Sequence, residues 1–358
     1  MRLRSAQTLV FSRQAGEIIG FNFLTNTAFA CSHDLFTFLS LLDDWKEFEE
    51  VACFMPALAE EELRATVQGL IDVNAVTGDG SALASAEDEF RTTWNWGVPA
   101  ALFHFSVQDK KYISAGEAEA LQRAKLAECQ QPKLYTRNDG EAVGLPPALA
   151  ENELLQLMAR RRTVRSAAGE EITLKQLSDC LFAGLGITGN RHNCVGELPL
   201  SMTPSGGARN PYEAYVYARS VEGLQPGFYH YSAFDHTLER VDTDRLPKPS
   251  ELMGGQEWTD EMPCVIILCA LFERTMWKYD DANAYRVVLI EAGHIGQNLM
   301  LAATQHGLSA CPSAALNHSE ICDCVAEKNR FTHAPIYALT LAKPGMRVAA
   351  APLELTGA

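Results

Sequence analysis

Hydrophobic positions recur with a helical period twice in the first quarter of the chain. Residues 34–42 and residues 56–70 each bring leucine, valine or phenylalanine side chains to one face of a helix with 3.6 residues per turn. Residues 71–76 then lead into a glycine–aspartate turn at residues 78–80. Helices followed by a strand-like end and a turn fit a small winged helix-turn-helix unit. We expect this unit to span residues 1–92, and either to bind a peptide by strand addition or to cap the larger domain that follows.

The rest of the chain predicts an α+β domain behind a connecting segment. The connecting segment, residues 93–148, opens with Trp-Asn-Trp-Gly and an apolar run, and it closes with a polar linker at residues 130–147. Within this segment, His104 is interpreted as a core histidine with satisfied hydrogen bonds. From residue 149 to residue 358 helical patterns alternate with strand-like runs, at residues 213–219, 238–241, 265–272 and 335–342. We therefore predict a mixed sheet with flanking helices, an α+β fold.

The longest apolar run predicts a helix within residues 277–307. It is apolar nearly all round, which indicates burial or a subunit interface. Gly293 and Gly296 permit close packing of this helix. Glu291 and His294 lie three residues apart on it, and we favour a polar network that braces a dimer interface over a catalytic pair.

Composition narrows the functional classes. The chain has 358 residues, enough for about two domains, and a formal net charge of -15, which disfavours a nucleic-acid-binding surface. No apolar stretch reaches the roughly 20 residues of a membrane span, and no signal-type segment follows the N-terminus. The 10 cysteines are scattered without a disulfide framework, so we expect free thiols in a reducing cytoplasm. Cys322 and Cys324, with His318 nearby, lack a second paired motif, and no metal site is expected.

An arginine cluster at residues 160–165 stands out from this acidic background. An isolated basic cluster is usually a solvated helix end. Guanidinium forks nevertheless suit phosphate oxygens, and Thr163 adds a hydroxyl donor. In a chain with so many acidic residues, the cluster indicates an anion site.

A loop of small residues, Ser205-Gly206-Gly207-Ala208, precedes the strand-like run at residues 213–219. Such a loop leaves backbone N–H groups uncovered, so a planar ligand or a phosphate can approach the main chain closely. A Ser-Gly-Gly run by itself is more often a plain turn. The arginine cluster before the loop and the Gly-His-x-x-Gln-Asn sequence after it favour a ligand-binding loop over a plain turn.

Together these pieces resemble the nitroreductase-fold flavoproteins, and among them the SagB/ThcOx-type dehydrogenases, which are FMN-dependent azoline oxidases of thiazole/oxazole peptide pathways. The matching motifs are Arg-Arg-Thr-Val-Arg, Pro-Ser-Gly-Gly-Ala, Pro-Gly-Phe-Tyr-His-Tyr, Lys-Tyr-Asp, Glu-Ala-Gly-His-Ile-Gly-Gln-Asn and Gly-Leu-Ser-Ala-Cys-Pro, in family order over residues 150–345. The resemblance implies an FMN-binding nitroreductase-like domain at residues 149–358. It also implies oxidation of a thiazoline or oxazoline to the azole in a ribosomal or nonribosomal peptide.

The resemblance assigns the FMN site to three stretches and one lysine. The arginine cluster holds the phosphate and ribityl end, the small-residue loop lines the ring, a segment after Cys311 approaches flavin N5, and the lysine contacts the phosphate. Ser-Ala-Ala in that segment replaces the Glu-Gly pair of many nitroreductases, so the N5 contact is expected from backbone alone. The implied cofactor-binding residues are Arg161, Arg162, Thr163, Arg165, Ser205, Gly206, Gly207, Ala208, Asn210, Pro312, Ser313, Ala314, Ala315 and Lys343.

Lys278 and Tyr279 match the Lys-Tyr pair of the azoline dehydrogenases, which implies that Lys278 is the catalytic base and Tyr279 its hydrogen-bonding helper. A lysine at the reference pKa of about 10.4 is a poor base at neutral pH, so this role calls for burial beside other cations. Residues 280–283 stand where the family commonly has glycine and arginine, so substrate contacts nearby are expected to differ.

The resemblance further implies a cytoplasmic homodimer that acts on a peptide or carrier-bound azoline, with a cyclodehydratase or a peptide synthetase as a partner and with neither nucleic acid nor membrane. Two other functions stay open from the sequence. One is an NAD(P)H-dependent reductase of nitro compounds or enones. The other is a flavin-free scaffold subunit that docks a leader peptide through residues 1–92.

Overall fold

The computed structural model of the chain describes residues 2–132, 140, 143–146, 152–325 and 331–345. The chain divides into two compact units. Unit 1 comprises Met1–Gln108, Phe272–Val287 and Asn329–Thr332, and unit 2 comprises Asp109–Leu271, Val288–Lys328 and His333–Ala358. The boundary expected between residues 148 and 149, and much of the linker expected at residues 130–147, lie outside the described residues.

The chain forms strands and helices in the following order. They are β1 Leu3–Ser5, β2 Leu9–Gln14, β3 Glu17–Asn22, β4 Thr27–Cys31, α1 His33–Leu41, α2 Phe48–Phe54, α3 Glu60–Asp72, β5 Val76–Gly78, α4 Ala82–Thr93, α5 Gly97–Ser106, α6 Ala115–Glu128, α7 Glu153–Arg160, α8 Leu174–Leu185, β6 Ile187–Asn193, β7 Gly196–Ser201, β8 Tyr212–Ala218, β9 Gly227–Ser232, β10 Thr237–Arg240, α9 Pro249–Leu252, β11 Cys264–Leu271, α10 Phe272–Met276, α11 Asn283–Gln305, β12 Ser309–Ser313, α12 His318–Val325 and β13 His333–Ala342.

Unit 1 combines helices with short antiparallel strands. β1 pairs with β5, while β2, β3 and β4 form a separate three-stranded sheet. The helices predicted over residues 34–42 and 56–70 are present as α1 and α3. α3 begins only at Glu60, because the Glu62 carboxylate accepts a hydrogen bond from the Ala59 amide at 3.3 Å and fixes the helix start there. The winged-helix interpretation of the N-terminal residues stays a prediction.

The sequence pattern does not predict β2, β3 and β4. Most of their side chains are exposed or half-buried, so apolar and polar positions do not alternate as they do in a strand with one buried face. Aromatic contacts pack this sheet against α1: the Phe11 and Phe36 rings meet edge to face with their centroids 4.9 Å apart. Those contacts depend on tertiary structure.

The centre of unit 2 is a six-stranded sheet with the order β10-β9-β8-β11-β13-β12. The four predicted strands are confirmed as β8, β10, β11 and β13. β11 and β8 are buried on both faces, and their apolar sequences explain why the strands are recognisable. The α+β class is confirmed. The mixture of strand directions expected for the sheet is not found among the described strands, because every neighbouring pair is antiparallel.

α11 is the long apolar helix, and it starts later than the apolar run. Asp281 accepts a hydrogen bond from the Asn283 amide at 2.8 Å, so the helix begins at Asn283 and residues 277–282 precede it. Gly307, at φ +70, follows its end as predicted. Gly296 packs against the Tyr337 ring, whose Cε1 would lie 2.6 Å from an added Cβ. Close packing is therefore confirmed at this glycine.

The structure also bears on membrane spans and on the cysteines. Among the described residues no helix combines the length and apolarity that crossing a membrane requires. No disulfide joins the cysteines, all of which lie in the described ranges, and six of them, including Cys264 and Cys311, are buried.

Replacing Gly296 with Ala should lower the free energy of unfolding by about 1–3 kcal/mol, because the methyl group overlaps the Tyr337 ring. Gly293→Ala is the matched control on the same helix, since nothing lies within 4 Å of its added Cβ. Alanine's higher helix propensity should leave that variant as stable as the wild type or up to about 1 kcal/mol more stable. Urea unfolding followed by circular dichroism measures both, and equal destabilisation of the two variants would contradict the packing.

Candidate functional site

The small-residue loop of unit 2 has the backbone shape that its sequence predicts. Gly206–Ala208 form a 3₁₀ turn, and the φ angles of Gly207, Ala208 and Asn210 are +65°, +53° and +44°. Left-handed residues next to right-handed ones turn successive N–H groups toward one side, which suits the oxygen atoms of a ligand. Alanine and asparagine are held here in a conformation that costs free energy, so the surrounding structure must compensate.

Hydrogen bonds from three directions hold this loop. The Asn210 amide donates to Ser205 Oγ at 2.8 Å, which closes the loop on itself. Thr203 Oγ1 donates to the Gly184 carbonyl of α8 at 2.6 Å. Asn298 Nδ2 of α11 donates to the same Thr203 oxygen at 2.9 Å. The loop is therefore fixed to both neighbouring helices.

Glu291 is the buried carboxyl beneath the loop. Only 5% of this residue is exposed, and its Oε2 accepts a hydrogen bond from the Gly206 amide at 3.2 Å. Burial raises the pKa of Glu291 to about 7, although hydrogen bonds from Ser205 and Gly206 oppose the rise. His294 is exposed on the same helix. Glu291 thus contacts the loop within its own chain, and a role of Glu291 and His294 at a dimer interface stays a prediction.

The arginine cluster begins at the C-terminal end of α7. Arg161 follows the last helical residue, and its amide donates to the Leu157 carbonyl at 3.2 Å. Arg162 is exposed, and its Nη1 donates to the Ala159 carbonyl at 2.7 Å and to the Arg161 carbonyl at 2.8 Å. Thr163 is exposed beside it. These groups lie at the surface, where an anion can reach them.

Arg165 joins the cluster to the segment that follows Cys311. Its guanidinium lies 5.8 Å from the Trp258 ring centroid, and its positive charge acts on the buried Cys311 thiol. Burial raises the pKa of that thiol, and the arginine opposes the rise. The arginine cluster and β12 are therefore close to each other in unit 2.

The predicted segment after Cys311 begins within β12. Pro312 and Ser313 end this strand, Ala314 after them is exposed, and Ala315 is buried.

Polar and aromatic groups that the sequence did not indicate surround this segment. Gln256 Nε2 donates to Ser313 Oγ at 3.1 Å, and the Trp258 indole N–H donates to Gln256 Oε1 at 3.3 Å. Tyr112 OH donates to the Ala314 carbonyl at 3.5 Å. These residues lie far apart in the sequence and match no periodic pattern, so only the fold identifies them.

Lys343 lies on the C-terminal side of β13, near the residues that follow the arginine cluster. Its Nζ forms an ion pair with Glu170 Oε2 at 2.6 Å, and its carbonyl accepts a hydrogen bond from the Ala168 amide at 3.0 Å. This lysine is thus tied to the stretch after Arg165. A phosphate contact by Lys343 stays a prediction. It requires Lys343 either to leave Glu170 or to contact Glu170 and the phosphate together.

Lys278 and Tyr279 belong to unit 1, whereas the loop and the arginine cluster belong to unit 2. Lys278 is exposed, with its Nζ 5.1 Å from the Tyr279 ring centroid, so the burial expected for a lysine base is not present. Two residues of the Trp-Asn-Trp sequence hold the backbone here. Trp96 Nε1 donates to the Tyr279 carbonyl at 2.7 Å, and Asn95 Nδ2 donates to the Met276 carbonyl at 3.3 Å.

His104 is a core histidine, as predicted. It is 1% exposed; its Nδ1 lies 3.0 Å from Tyr285 OH and its Nε2 lies 2.8 Å from Gln108 Nε2. It stacks on Trp94 at a ring-centroid distance of 5.5 Å. Its hydrogen bonds and its burial are those of a structural residue in unit 1. In the part of the chain that the structure covers, no group of three or more His, Cys, Asp or Glu side chains has the arrangement of a metal site.

The sequence pattern of the nitroreductase family matches residues 158–342, more than half of the chain. The chain therefore belongs to the nitroreductase family and is an oxidoreductase of that family, whose members generally bind a flavin. The expected resemblance is confirmed at this level.

Three curated relatives extend the comparison. The nitroreductase-like protein MJ1384 of Methanocaldococcus jannaschii is 34% identical over 176 residues, which cover 49% of this chain and 85% of that protein. The trifolitoxin-processing protein TfxB of Rhizobium leguminosarum is 34% identical over 32% of this chain and 32% of its own length. The microcin B17-processing protein McbC of Escherichia coli is 32% identical over 29% of this chain. That match spans 40% of McbC, so the chain matches well under half of either peptide-processing relative.

A solved structure also aligns with more of this chain than the family match covers. A chain in the E. coli microcin synthetase McbBCD complex with truncated pro-MccB17 bound aligns with 75% of this chain and 95% of its own length. The TM-score is 0.50 and the sequence identity is 21%, which show a shared fold.

The raised pKa of Glu291 makes stability depend on pH. Because the folded-state pKa of about 7 exceeds the ordinary value of 4.5, the contribution of Glu291 to stability is full below about pH 4.5 and is lost as the pH rises through 7. Glu291→Gln carries no charge at any pH. The free energy of unfolding of the wild type relative to this variant should therefore fall by about 3 kcal/mol between about pH 4.5 and about pH 8.

Urea unfolding at both pH values measures this difference. Glu222→Gln is the control, since Glu222 is exposed and its substitution should give no such pH dependence. A wild-type-to-Glu291→Gln difference that stays constant with pH would contradict a buried, titrating carboxyl.

Proposed function

We propose that this protein is an FMN-dependent dehydrogenase that oxidises a thiazoline or oxazoline to the azole in a ribosomal or nonribosomal peptide natural product. The observation that carries the proposal is that unit 2 contains both a left-handed small-residue loop and an arginine cluster whose Arg165 acts on the Cys311 thiol of β12. Two relatives with peptide-processing names, TfxB and McbC, support a peptide substrate.

The residues present fit an FMN group. Arg161, Arg162 and Arg165 offer guanidinium forks for the phosphate, and Thr163 offers a hydroxyl. The loop around Gly207 presents backbone N–H groups that suit the polar edge of the ring or the ribityl chain. Bound FMN would supply the acceptor for the hydride.

Loss of two hydrogens from an azoline requires a base for the proton and an acceptor for the hydride. Lys278 is our candidate for the base, and Tyr279 is the candidate for a hydrogen-bonding helper. Since Lys278 is exposed in the free chain, a bound substrate must cover and desolvate it for this role. Trp96 and Asn95 fix the backbone before and at Tyr279, which limits where both side chains can reach.

An NAD(P)H-dependent reductase of nitro compounds or enones is the second candidate. It is favoured by the match to MJ1384, since that match covers 85% of the relative. NADPH added to the flavin-loaded protein separates the two functions, because rapid bleaching of the flavin by NADPH supports the reductase.

We also propose a homodimer, with a cyclodehydratase or a peptide synthetase as a further partner. α7 leaves Leu154, Leu155 and Met158 between 41% and 55% exposed, and Ile290 of α11 is 52% exposed. A second copy of the chain would cover such apolar side chains. Light scattering at micromolar concentration should give the mass of a dimer, and Leu155→Asp combined with Met158→Asp should shift it toward a monomer. A flavin-loaded wild-type monomer would contradict this assembly.

Replacing Arg161 and Arg165 together with Ala should sharply reduce the flavin content of purified protein. Two charge-assisted phosphate contacts are lost, and each contributes about 1.5–3 kcal/mol. Arg160→Ala is the matched control from the same cluster, because no phosphate contact is assigned to it. Absorbance of the bound flavin per protein chain measures the effect, and an equally yellow double variant would remove both arginines from the site.

Lys278→Ala should keep the fold and the flavin but lose azoline oxidation by about 10²–10⁴-fold, the usual contribution of a general base. Tyr279→Phe should cost less, since only a hydroxyl group is removed. Lys111→Ala, another exposed lysine, serves as the control and should retain turnover. Turnover of an azoline-containing peptide is measured with flavin content held equal. Near-normal oxidation by flavin-replete Lys278→Ala would show that this lysine is not the base.

A further inference from the structure

Ser313, the last residue of β12, has a hydroxyl oxygen that accepts two hydrogen bonds. Gln256 Nε2 donates to Ser313 Oγ at 3.1 Å, and the Ala315 amide donates to the same oxygen at 3.0 Å. A serine hydroxyl has two lone pairs and one hydrogen, so both of its lone pairs are in use. Within the described part of the chain the hydroxyl hydrogen enters no hydrogen bond. Ser313 can therefore serve a ligand as a donor only.

The orientation of the Gln256 side-chain amide is fixed by two partners, each of which can act in one way only. The Trp258 indole N–H can only donate, and it donates to Gln256 Oε1 at 3.3 Å. The Met253 carbonyl can only accept, and it accepts from Gln256 Nε2 at 2.9 Å. Reversing the amide would set two acceptors against each other at Met253 and two donors against each other at Trp258. Gln256 must therefore donate to Ser313.

These groups lie among the stretches of unit 2 that are assigned to FMN. Ser313 belongs to the segment assigned to flavin N5, and it is half-buried next to the exposed Ala314. The Trp258 ring centroid lies 5.8 Å from the guanidinium of Arg165, which is assigned to the phosphate and ribityl end. Gln256 and Trp258 thus connect the two assigned stretches, and the Ser313 hydroxyl is the donor that they leave free for a ligand.

We propose that Ser313 donates a hydrogen bond to N5 of oxidised FMN, and that Gln256 is a positioning residue that keeps Ser313 a donor. The inference rests on the proposed FMN site, and it adds a side chain to a contact that the resemblance assigns to backbone alone. N5 of the oxidised ring has a lone pair and accepts, whereas N5 of the fully reduced ring carries a hydrogen and donates. A hydroxyl that can only donate therefore stabilises bound oxidised FMN relative to bound reduced FMN.

Ser313→Ala removes the hydroxyl and tests the preference between the two forms of FMN. The dissociation constant of oxidised FMN is measured by fluorescence titration, and that of reduced FMN by titration without oxygen. Oxidised FMN should bind the variant about fivefold more weakly than it binds the wild type, as expected for one hydrogen bond. Reduced FMN should bind the variant at least as tightly as the wild type. Ser220→Ala is the control, because Ser220 is exposed and outside the assigned site, and it should change neither constant.

Gln256→Met tests the positioning role without adding a charge. Methionine is close to glutamine in length but has no N–H group, so one lone pair of Ser313 becomes free to accept from reduced N5. Reduced FMN should therefore bind Gln256→Met about fivefold more tightly than it binds the wild type, and oxidised FMN should bind both about equally. In the Ser313→Ala background, Gln256→Met should change neither constant.

The outcomes separate this inference from the proposed function. Equal weakening of both forms of FMN by Ser313→Ala, or no weakening of either, overturns the donor role of Ser313 while FMN binding stands. A Gln256→Met effect that persists in the Ser313→Ala background overturns the positioning role. Ser313→Ala decides the donor role even if Gln256→Met does not fold, which circular dichroism shows. A wild-type protein that binds neither form of FMN overturns the proposed function as well.

Discussion

The candidate site depends on a loop whose backbone needs support from its neighbours. Ala208 and Asn210 adopt left-handed conformations that cost a non-glycine residue about 1–2 kcal/mol. The compensation comes from hydrogen bonds, through Thr203 to α8 and α11 and through Gly206 to the buried carboxyl of Glu291. The cost of burying this carboxyl is visible in its raised pKa. A titratable group is thus retained where an apolar one would pack at lower cost, which is the pattern of a functional position.

Unit 2 contains the stretches proposed to bind FMN, and unit 1 contains the proposed catalytic base. In unit 2 the antiparallel sheet positions β12, whose Cys311 thiol lies close enough to Arg165 for the guanidinium to oppose the rise of the thiol pKa. In unit 1 aromatic packing around Trp94 and Trp96 fixes the backbone that carries Lys278. The family match spans residues 158–342 and so includes the unit 2 stretches and Lys278 alike. The role of Lys278 in azoline oxidation stays a proposal.

Short-range sequence patterns predict the buried elements and the small-residue loop. The apolar runs that form β8, β11, β13 and α11 are recognisable because both faces, or most of a helix, are buried. The loop at Gly207 is recognisable because small residues suit its backbone. The exposed strands β2 to β4 carry no such alternation. The roles of Gln256, Trp258 and Tyr112 are not predictable, since each depends on a contact with a residue distant in the chain. The sequence singles out Glu291, but it does not predict the hydrogen bond from the Gly206 amide, which joins residues 85 positions apart.

Anaerobic reaction of the FMN-loaded protein with a thiazoline-containing peptide tests the central claim most directly. The flavin absorbance and the peptide mass are followed together. We expect the flavin to bleach as each oxidised ring loses two hydrogens, and the colour to return when oxygen is admitted. A flavin that stays oxidised with the azoline peptide but bleaches with NADPH would contradict azoline oxidation and favour the reductase.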